Sequence, residues 1–575
     1  RKMYLSNSLW RSKDIITAPE HLGSRALMKS MGFTDDEIRK PRIAIANSWT
    51  ELCPGHFHLR SVADAVRAGI WQAGGVPYEF SSFAQCPVVV AGSGLHGSRY
   101  DTPSRDLIAA EVEAAVEQHL LDAMVLICSC DKNVPGHLLA AARLNIPCII
   151  VTGGPMNSGK FKGLKVSANT AMVEGRSLAM GVSKLSAKEA LELEEEACPG
   201  PGACAILGTA NTMECLVEAL GMVLPGSATA PAVSAKRLRI AKESGKQVMN
   251  LLKAQIKPSD IMNEDAIINA ITVLHAIGGS SNAILHILAL VEELNLNSRI
   301  NINLIGKLGK ETPCITDVLP SGKYDVVDLD EAGGVIAVMK RLGDRINKKV
   351  LTVTQKTLEE NLQGIEVKRD EVIRTIDHPV NTEGLCVLRG NLARSSVIRP
   401  TVVVKGMRQH IGPARVFDSI EDTLIAIKGN KIVPGDVVII RYEGPRGGPG
   451  TTSVYGVISW LKGLDLLDKC VVVTDGKVSG FCSGPVVVQV VPEAAVGGPL
   501  AIVREGDLIE IDISREKIDI KISETEIEKR LKKWKPKEPR VKKGFLTIYS
   551  QIALQSDRGA GLGTGFEKIQ IEKNI

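Results

Sequence analysis

The sequence contains few aromatic side chains: 5 Trp, 7 Tyr and 9 Phe occur among 575 residues. Modules that bind single-stranded nucleic acid stack bases on aromatic rings, so this scarcity argues against them. The formal net charge is only +5, which gives no broad basic surface for a phosphate backbone. Nucleic acid is therefore not expected as a partner.

Long apolar runs are also lacking. No stretch approaches the ~20 apolar residues that cross a membrane as a helix, so no membrane partner is expected. The first residues, Arg1 to Leu5, are not followed by the apolar core of a secretory signal. We therefore expect a cytoplasmic location, or an organellar one if a transit peptide has been removed. The 12 cysteines are too few for a disulfide scaffold in a chain of this length.

The first half of the chain alternates strand-like segments, loops and helix-like segments. Strands are predicted over residues 42–47, 122–130 and 146–152, and helices over 58–73 and 103–120. This repetition predicts a mostly parallel sheet flanked by helices.

After about residue 380 the pattern changes to short β-branched runs separated by Gly and Pro. These runs cover residues 401–405, 423–427, 437–441, 471–474, 486–491, 508–513 and 518–522. They predict a β-rich second domain, a barrel or a sandwich. The predicted fold class is α/β, with a large N-terminal domain over residues 1–380 and a β-rich domain over residues 381–575.

Polar residues concentrate where the predicted parallel strands end. In such sheets, ligands bind beyond the carboxyl ends of the strands. The segments expected there are 47–58, 128–137 and 152–156, which are rich in Cys, Asp, Lys, His and Gly. Chemistry is therefore expected at this edge of the sheet.

Two cysteine-containing stretches stand out. Cys130 is followed directly by Asp131 and Lys132, where a soft thiolate suits an Fe–S cluster or zinc and a carboxylate suits Mg²⁺ or Mn²⁺. Cys204 ends a Gly/Pro loop that begins at Cys198, and such a loop lets a metal cluster approach the backbone closely. A surface ion pair in the first stretch and a structural turn in the second are the alternatives.

Three further stretches are candidates for binding or catalysis. The loop 47–58 holds Cys53, His56 and His58, whose side chains either bind a ligand or cap the following helix. The segment 441–450 is Gly-rich and follows a predicted strand. Ser479 lies between turn residues in the segment 473–480, where it is either a base or nucleophile or a helix cap.

Taken together, the chain resembles the dihydroxy-acid dehydratase/phosphogluconate dehydratase family. The similarity runs through nearly the whole chain in order, and it is closer to the dihydroxy-acid branch. It includes ANSWTE (46–51), YDTPSRD (100–106), CSCDKNVPG (128–136), ACPGPGACAILGTANTM (197–213), RYEGPRGGPG (441–450) and TDGKVSG (474–480). The resemblance implies an N-terminal α/β domain, a C-terminal β-barrel and a homodimer or homotetramer.

The resemblance also implies the activity and the site. Family members dehydrate a 2,3-dihydroxy carboxylate to a 2-keto acid, with an Fe–S cluster, [2Fe-2S] or [4Fe-4S], and Mg²⁺. By position, Cys130 and Cys204 correspond to cluster ligands. Asp131, Lys132 as a carbamate and Glu443 correspond to Mg²⁺ ligands. Ser479 corresponds to the catalytic base, which places the base in the C-terminal domain.

The sequence departs from the family at two places. Gly55 stands where some members have a cysteine, so the third cluster ligand is left between Cys53 and His56. The family usually has an Mg²⁺-binding Asp after a Cys in the segment that here begins Gln85-Cys86-Pro87, and this Asp is missing.

The main hypothesis is a dihydroxy-acid dehydratase of branched-chain amino-acid synthesis. The alternative enzyme is a sugar-acid dehydratase that acts on an aldonate such as gluconate or a pentonate. The altered segment 85–90 and the stretch 159–163 both favour this alternative. A non-catalytic metal-binding protein is disfavoured, because such a protein has no need of Asp131, Lys132, Glu443 and Ser479 together.

Overall fold

The fold is described from a computed structural model that covers residues 10–86, 89 and 96–563. The first strands are β1 (Arg42–Asn47), β2 (Val76–Ser81), β3 (Ala123–Cys128), β4 (Cys148–Thr152), β5 (Gly159–Phe161) and β6 (Leu164–Val166). The helices up to residue 219 are α1 (Lys13–Thr17), α2 (Leu22–Ser30), α3 (Asp35–Ile38), α4 (Leu59–Gln72), α5 (Asp101–Gln118), α6 (Cys130–Leu144), α7 (Ala168–Ala179), α8 (Ala187–Glu196) and α9 (Thr209–Ala219).

A helical region and then a β-rich region follow. The helices are α10 (Ala235–Ala254), α11 (Pro258–Ile261), α12 (Glu264–Ala276), α13 (Asn282–Glu293), α14 (Ile302–Glu311), α15 (Val326–Glu331), α16 (Gly334–Leu342), α17 (Leu358–Asn361), α18 (Ile420–Lys428), α19 (Tyr455–Gly463), α20 (Glu524–Lys533) and α21 (Phe545–Ile552). The strands are β7 (Cys386–Leu388), β8 (Ser395–Ile398), β9 (Gln409–Phe417), β10 (Val437–Ile440), β11 (Val471–Thr474), β12 (Val486–Val491), β13 (Leu508–Asp512) and β14 (Lys517–Ile520).

The predicted parallel sheet is confirmed. Its strand order is β2-β1-β3-β4, and every pairing is parallel. Strands β1, β3 and β4 are buried along their whole length because each is a nearly unbroken aliphatic run. Helix α4 covers the sheet with an apolar stripe of Leu59, Val62, Val66 and Ile70.

The C-terminal strands form a mixed, barrel-like sheet, as predicted. The order is β14-β13-β9-β10-β11-β12-β8-β7, with parallel pairing from β9 to β12 and antiparallel pairing on either side. An additional bridge joins Arg389, next to β7, to Lys517 at the start of β14. The two edges of the sheet therefore meet. The domain boundary at residue 380 stays a prediction.

Two of the predicted strands are wrong. Residues 423–427 lie inside α18, because Ser419 caps this helix by accepting from the backbone N–H of Asp422. Residues 401–405 lie across two short 3₁₀ turns, Pro400–Val402 and Lys405–Met407. A β-branched run is a weak local preference, which a strong cap or a proline overrides. None of the helices in the described part of the chain is long and apolar enough to cross a membrane.

A buried histidine joins the helical region to the barrel-like sheet. His275 on α12 lies with Nε2 3.1 Å from the carbonyl oxygen of Ile305, while its Nδ1 lies 3.1 Å from the backbone nitrogen of Leu385. Because the backbone N–H of Leu385 can only donate, Nδ1 of His275 is the acceptor and Nε2 carries the proton. Burial lowers the pKa of His275 to about 4, so the ring stays neutral in the folded protein.

We expect acidification to destabilise the fold partly through His275. The pKa is ~6.5 in an unfolded chain and about 4 in the folded protein, so the unfolded chain binds the proton first. The stability that His275 contributes is present above pH 6.5 and is lost as the pH falls toward 4, by on the order of 3 kcal/mol. Thermal unfolding at pH 7, 6 and 5 checks this. His275→Gln, which does not titrate, lowers the midpoint at pH 7 but should flatten its dependence on pH. Parallel curves for the two proteins would contradict the prediction.

Candidate active site

The carboxyl ends of the parallel strands gather the polar loops, as predicted. Asn47 pairs with Ile127 and Ser81, and Cys128 pairs with Thr152, so all these strands end at the same edge. The segments 47–58, 128–137 and 152–156 therefore lie together. This is the edge at which α/β sheets bind ligands.

Cys130, Asp131 and Lys132 form the first turn of α6. Ser129 before them is extended, and Cys130 itself has a left-handed backbone with φ of 62°. A residue with a side chain rarely adopts this conformation, and such positions cluster at functional sites. The N-terminal end of a helix also stabilises thiolates and carboxylates. The turn thus presents a thiol, a carboxylate and an amine at one point.

Other thiols surround Cys130. Ligand atoms of Cys53, His56 and Cys130 lie within 4.8 Å of one another, and all three residues are buried. Hydrogen bonds of the Cys130 thiol with Cys53 and Cys86, together with burial, raise its pKa well above the ordinary value. Cys204 lies near the same group, since burial and the charges of Cys86 and Asp131 raise its pKa. Bound iron would hold these sulfurs as thiolates despite those pKa values.

His56 is oriented as a metal ligand. Its Nδ1 lies 2.7 Å from the carbonyl oxygen of Ser48, so this nitrogen carries the proton. Nε2 then keeps its lone pair, and it lacks a hydrogen-bond partner among the described residues although it is buried near the backbone of Ser129. Burial lowers the pKa of His56 to about 3, so the ring is neutral. A neutral imidazole with one free nitrogen suits iron.

The backbone at Gly55 passes directly against Cys130. A Cβ atom at this position would lie 2.2 Å from the Cys130 sulfur and 3.7 Å from the carbonyl oxygen of Gly202. A side chain here would need Cys130 to move. Among the described residues near Cys130, the side chains of Cys53, His56 and Cys86 could complete a cluster with Cys130 and Cys204, and this donor set fits one.

Lys132 is placed for carbamylation. Its side chain is fully buried, and Nζ lies 3.7 Å from Asp131 Oδ2 and 3.6 Å from Asp101 Oδ2, with no hydrogen-bond partner within residues 10–86, 89 and 96–563. Burial lowers the pKa of Lys132 to about 8, which raises the fraction of neutral amine near neutral pH. Carbon dioxide reacts only with the neutral amine. The resulting carbamate offers oxygen to a hard cation such as Mg²⁺.

Glu443 follows β10 and is fully buried. Its Oε1 accepts from the backbone N–H of Ile420 at 3.2 Å and from Arg540 Nη1 at 2.7 Å. Its Oε2 lies 3.6 Å from Arg99 Nη1 and has no hydrogen-bond partner in the part of the chain that the structure describes. This free carboxylate oxygen fits a cation ligand. Arg540 belongs to the Lys/Arg-rich segment 526–543, and this segment therefore contacts the candidate site.

The glycine-rich loop after Glu443 is organised around another carboxylate. The backbone N–H groups of Arg446 and Gly447 donate to Glu493, at 2.9 to 3.1 Å. Glu493 is buried, and burial raises its pKa. The tight turns of this loop therefore bind an internal carboxylate, which fixes the chain on the C-terminal side of Glu443.

Ser479 precedes a glycine that packs against the N-terminus of α9. The next residue, Gly480, packs so closely that a Cβ would lie 2.5 Å from Gly208 Cα and 2.6 Å from the nitrogen of Thr209, the first residue of α9. The half-buried Ser479 is thus held near the positive end of the α9 dipole. Cys204 lies in the loop that leads into the same helix. The structure brings the two residues to one region.

Lys477, on the same turn as Ser479, links this turn to the other candidates. Its ammonium contacts the Asp101 carboxylate, and both side chains are buried. Burial lowers the pKa of Lys477 to about 7. Since Asp101 also lies 3.6 Å from Lys132, the turn of Ser479 lies close to the first turn of α6.

Two family profiles match most of the sequence. The dihydroxy-acid/6-phosphogluconate dehydratase N-terminal profile matches residues 40–361, and the corresponding C-terminal profile matches residues 371–560.

The chain belongs to the dihydroxy-acid/6-phosphogluconate dehydratase family. The dihydroxy-acid dehydratase of Ignicoccus hospitalis is 44% identical over 563 residues, which cover 96% of this chain and 100% of the relative. The dihydroxy-acid dehydratase of Acetivibrio thermocellus is 44% identical over 554 residues, covering 96% and 99%. That of Methanothermobacter thermautotrophicus is 45% identical over 541 residues, covering 94% and 97%. The predicted family is therefore confirmed.

Three residues that the structure places at the candidate site have no role predicted from the sequence: Cys86, Asp101 and Lys477. Cys86 follows β2, so the strand-end rule would have found it had β2 been recognised. Asp101 carries no local signal, because its partners come from α6 and from the turn before Ser479. Pro87, where the sequence lacks the expected acid, lies outside the described residues. The roles of Cys130, Cys204, Asp131, Lys132, Glu443 and Ser479 stay predictions.

Proposed function

We propose that the protein is a dihydroxy-acid dehydratase, which converts a 2,3-dihydroxy carboxylate to a 2-keto acid in branched-chain amino-acid synthesis. Cys130 and Cys204 would hold an Fe–S cluster, with Cys53, His56 or Cys86 as the third ligand. Asp131, carbamylated Lys132 and Glu443 would hold Mg²⁺. The observation that carries the proposal is the first turn of α6, which presents Cys130 toward the thiols and Lys132 toward Asp101. One turn then serves both centres.

The two centres would supply Lewis acidity at neighbouring substrate carbons, Mg²⁺ at the carboxylate and C2 oxygens and iron at the C3 hydroxyl. Cys130 would hold the cluster and Lys132 would hold Mg²⁺, and only Asp131 separates these two residues in the first turn of α6. The two centres would therefore lie close together. A substrate whose C2 and C3 are bonded can therefore reach both.

Ser479 would remove the proton from C2. A serine is a weak base unless it is ionised, and the N-terminus of α9 beside Gly480 favours the negative charge. As the proton passes to Ser479 Oγ, the electron pair of the C2–H bond forms the C2–C3 double bond and hydroxide leaves C3. The enol then tautomerises to the 2-keto acid, and the proton and hydroxide leave as water.

Substrate choice tests the proposal. We expect the kcat/KM for 2,3-dihydroxyisovalerate to exceed that for gluconate and for a pentonate by ~10-fold or more, because a site built for an apolar tail cannot satisfy extra hydroxyls. The release of 2-keto acid is measured under anaerobic conditions for all three substrates. A preference for gluconate or the pentonate would replace the proposal with the sugar-acid alternative. If none of the three substrates releases a 2-keto acid, both the dihydroxy-acid and the sugar-acid proposals are wrong.

The oligomer and the location belong to the same proposal. By similarity to the family we propose a homodimer or homotetramer, and a cytoplasmic or organellar location. Sedimentation of the purified protein at micromolar concentration distinguishes these oligomers from a monomer.

A further inference from the structure

Asp101 is a buried carboxylate with cations on two sides. It is the first residue of α5 and is 2% exposed. Its Oδ2 lies 3.6 Å from Lys132 Nζ and also contacts the ammonium of Lys477. Its Oδ1 accepts from Gln85 Nε2 at 3.1 Å. A buried carboxylate is retained only where charges or hydrogen bonds compensate it.

Asp101 lies near all three predicted Mg²⁺ ligands, either directly or through one intervening lysine. On one side, Lys132 separates it from Asp131, whose Oδ2 is 3.7 Å from the same ammonium. On the other side, Lys477 belongs to the turn that packs on Glu443, where a Cβ at Gly476 would lie 3.1 Å from Glu443 Cβ. Asp101 thus lies between the two parts of the predicted metal site.

Two buried atoms of this site lack hydrogen-bond partners in the described part of the chain: Lys132 Nζ and Glu443 Oε2. Carbamylation turns Lys132 from a cation into an anion, which leaves Asp101 and Asp131 with less compensating charge. A divalent cation restores the balance and gives the free oxygens a partner. The arrangement is therefore incomplete without a cation.

We propose that Asp101 supplies a carboxylate oxygen to the divalent cation and replaces the acid that the sequence lacks near Pro87. The inference rests on the proposed function, because it uses the same metal site. In the absence of metal, Lys477 compensates the charge of Asp101. When the cation binds, the carboxylate oxygen of Asp101 that contacts the Lys477 ammonium would coordinate the cation instead.

The test measures binding of Mn²⁺ alone to the full-length chain, purified anaerobically and treated with EDTA, in buffer that contains bicarbonate. Free Mn²⁺ is followed by electron paramagnetic resonance at room temperature. We expect Asp101→Asn to raise the Kd at least ~10-fold through loss of one ligand, and Asp101→Glu to restore most of the affinity. Lys477→Met removes the competing cation and should lower the Kd.

Asp106→Asn is the matched control. Asp106 lies on the same helix and is similarly buried, but it pairs with Arg105 at 3.0 Å and accepts from the backbone N–H of Leu562. Its substitution should leave the Kd unchanged. Circular dichroism establishes that each variant folds, and Asp101→Ser stands in if the asparagine variant does not.

Glu443→Gln distinguishes failure of the inference about Asp101 from failure of the proposed metal site. If this change raises the Kd while Asp101→Asn does not, the inference about Asp101 is wrong and the proposed metal site stands. If the wild-type chain binds no Mn²⁺ at the site, or if Glu443→Gln has no effect, the proposed metal site itself is wrong.

Discussion

Replacing Cys130 or Cys204 with serine is expected to remove most of the iron and to abolish dehydration. Cys53, His56 and Cys86 surround the thiol of Cys130. The backbone of Cys130 has a left-handed conformation. A serine hydroxyl is a hard, weakly acidic ligand that holds iron poorly compared with a thiolate. The measurement is iron and sulfide per chain after anaerobic purification, together with the visible absorption of the cluster.

Two other buried cysteines serve as controls for Cys130 and Cys204. Cys148 lies in β4 and is 2% exposed, and Cys470 precedes β11 and donates to the carbonyl oxygen of Val433 at 3.2 Å. Cys148→Ser and Cys470→Ser remove buried thiols at the amino ends of strands, away from the carboxyl ends where Cys130 lies. We expect both variants to keep their iron. Unchanged iron in the Cys204 variant would remove Cys204 from the cluster.

The same assay resolves the third ligand. Cys53→Ser, His56→Ala and Cys86→Ser each change one candidate near Cys130. A histidine ligand would also give the reduced cluster an electron paramagnetic resonance spectrum distinct from that of all-cysteine ligation. The third ligand is the residue whose substitution lowers the iron content as much as Cys130→Ser does.

Ser479→Ala is expected to lower kcat by at least ~10²-fold while the cluster and the fold are kept. The change removes only the hydroxyl, and the turn is fixed by Gly480 against α9 and by Arg399, which donates to the carbonyl oxygen of Gly480 at 3.2 Å. Structure should therefore tolerate the loss. Steady-state kinetics with 2,3-dihydroxyisovalerate, alongside iron content, check this prediction.

Ser483→Ala is the matched control for Ser479. It lies four residues further along the same segment, and its hydroxyl accepts from Lys462 at 3.2 Å. We expect near wild-type kcat from this variant. If Ser479→Ala also stays within a few-fold of wild type, another group takes the C2 proton.

Much of the fold and of the site follows from the sequence by general rules. Unbroken aliphatic runs such as β3 predict buried parallel strands, and parallel strands bring their carboxyl ends together. That rule alone placed residues 47–58 beside Cys130. The turn around Ser479 left a base, a nucleophile and a helix cap open, and the family resemblance then implied the roles of Ser479 and Glu443.

Other features depend on contacts between distant segments. Residues 423–427 form a helix because Ser419 caps it, although their β-branched side chains favour a strand. Asp101 meets Lys477 across 376 positions of sequence. A pairing of this kind arises from how the elements pack, and residue preferences carry no information about it.

The bridge between Arg389 and Lys517 has a consequence for aggregation. An open sheet exposes unpaired N–H and C=O groups along its edges, and these recruit strands from other molecules. In the barrel-like sheet the edge strands β7 and β14 approach each other, so little edge is left to recruit a partner. In the parallel sheet, β4 is covered by Met222, which accepts from the N–H of Ile150, and β2 carries Glu79 in an ion pair with Arg67. Both sheets are thereby protected against edge-to-edge association in the folded state.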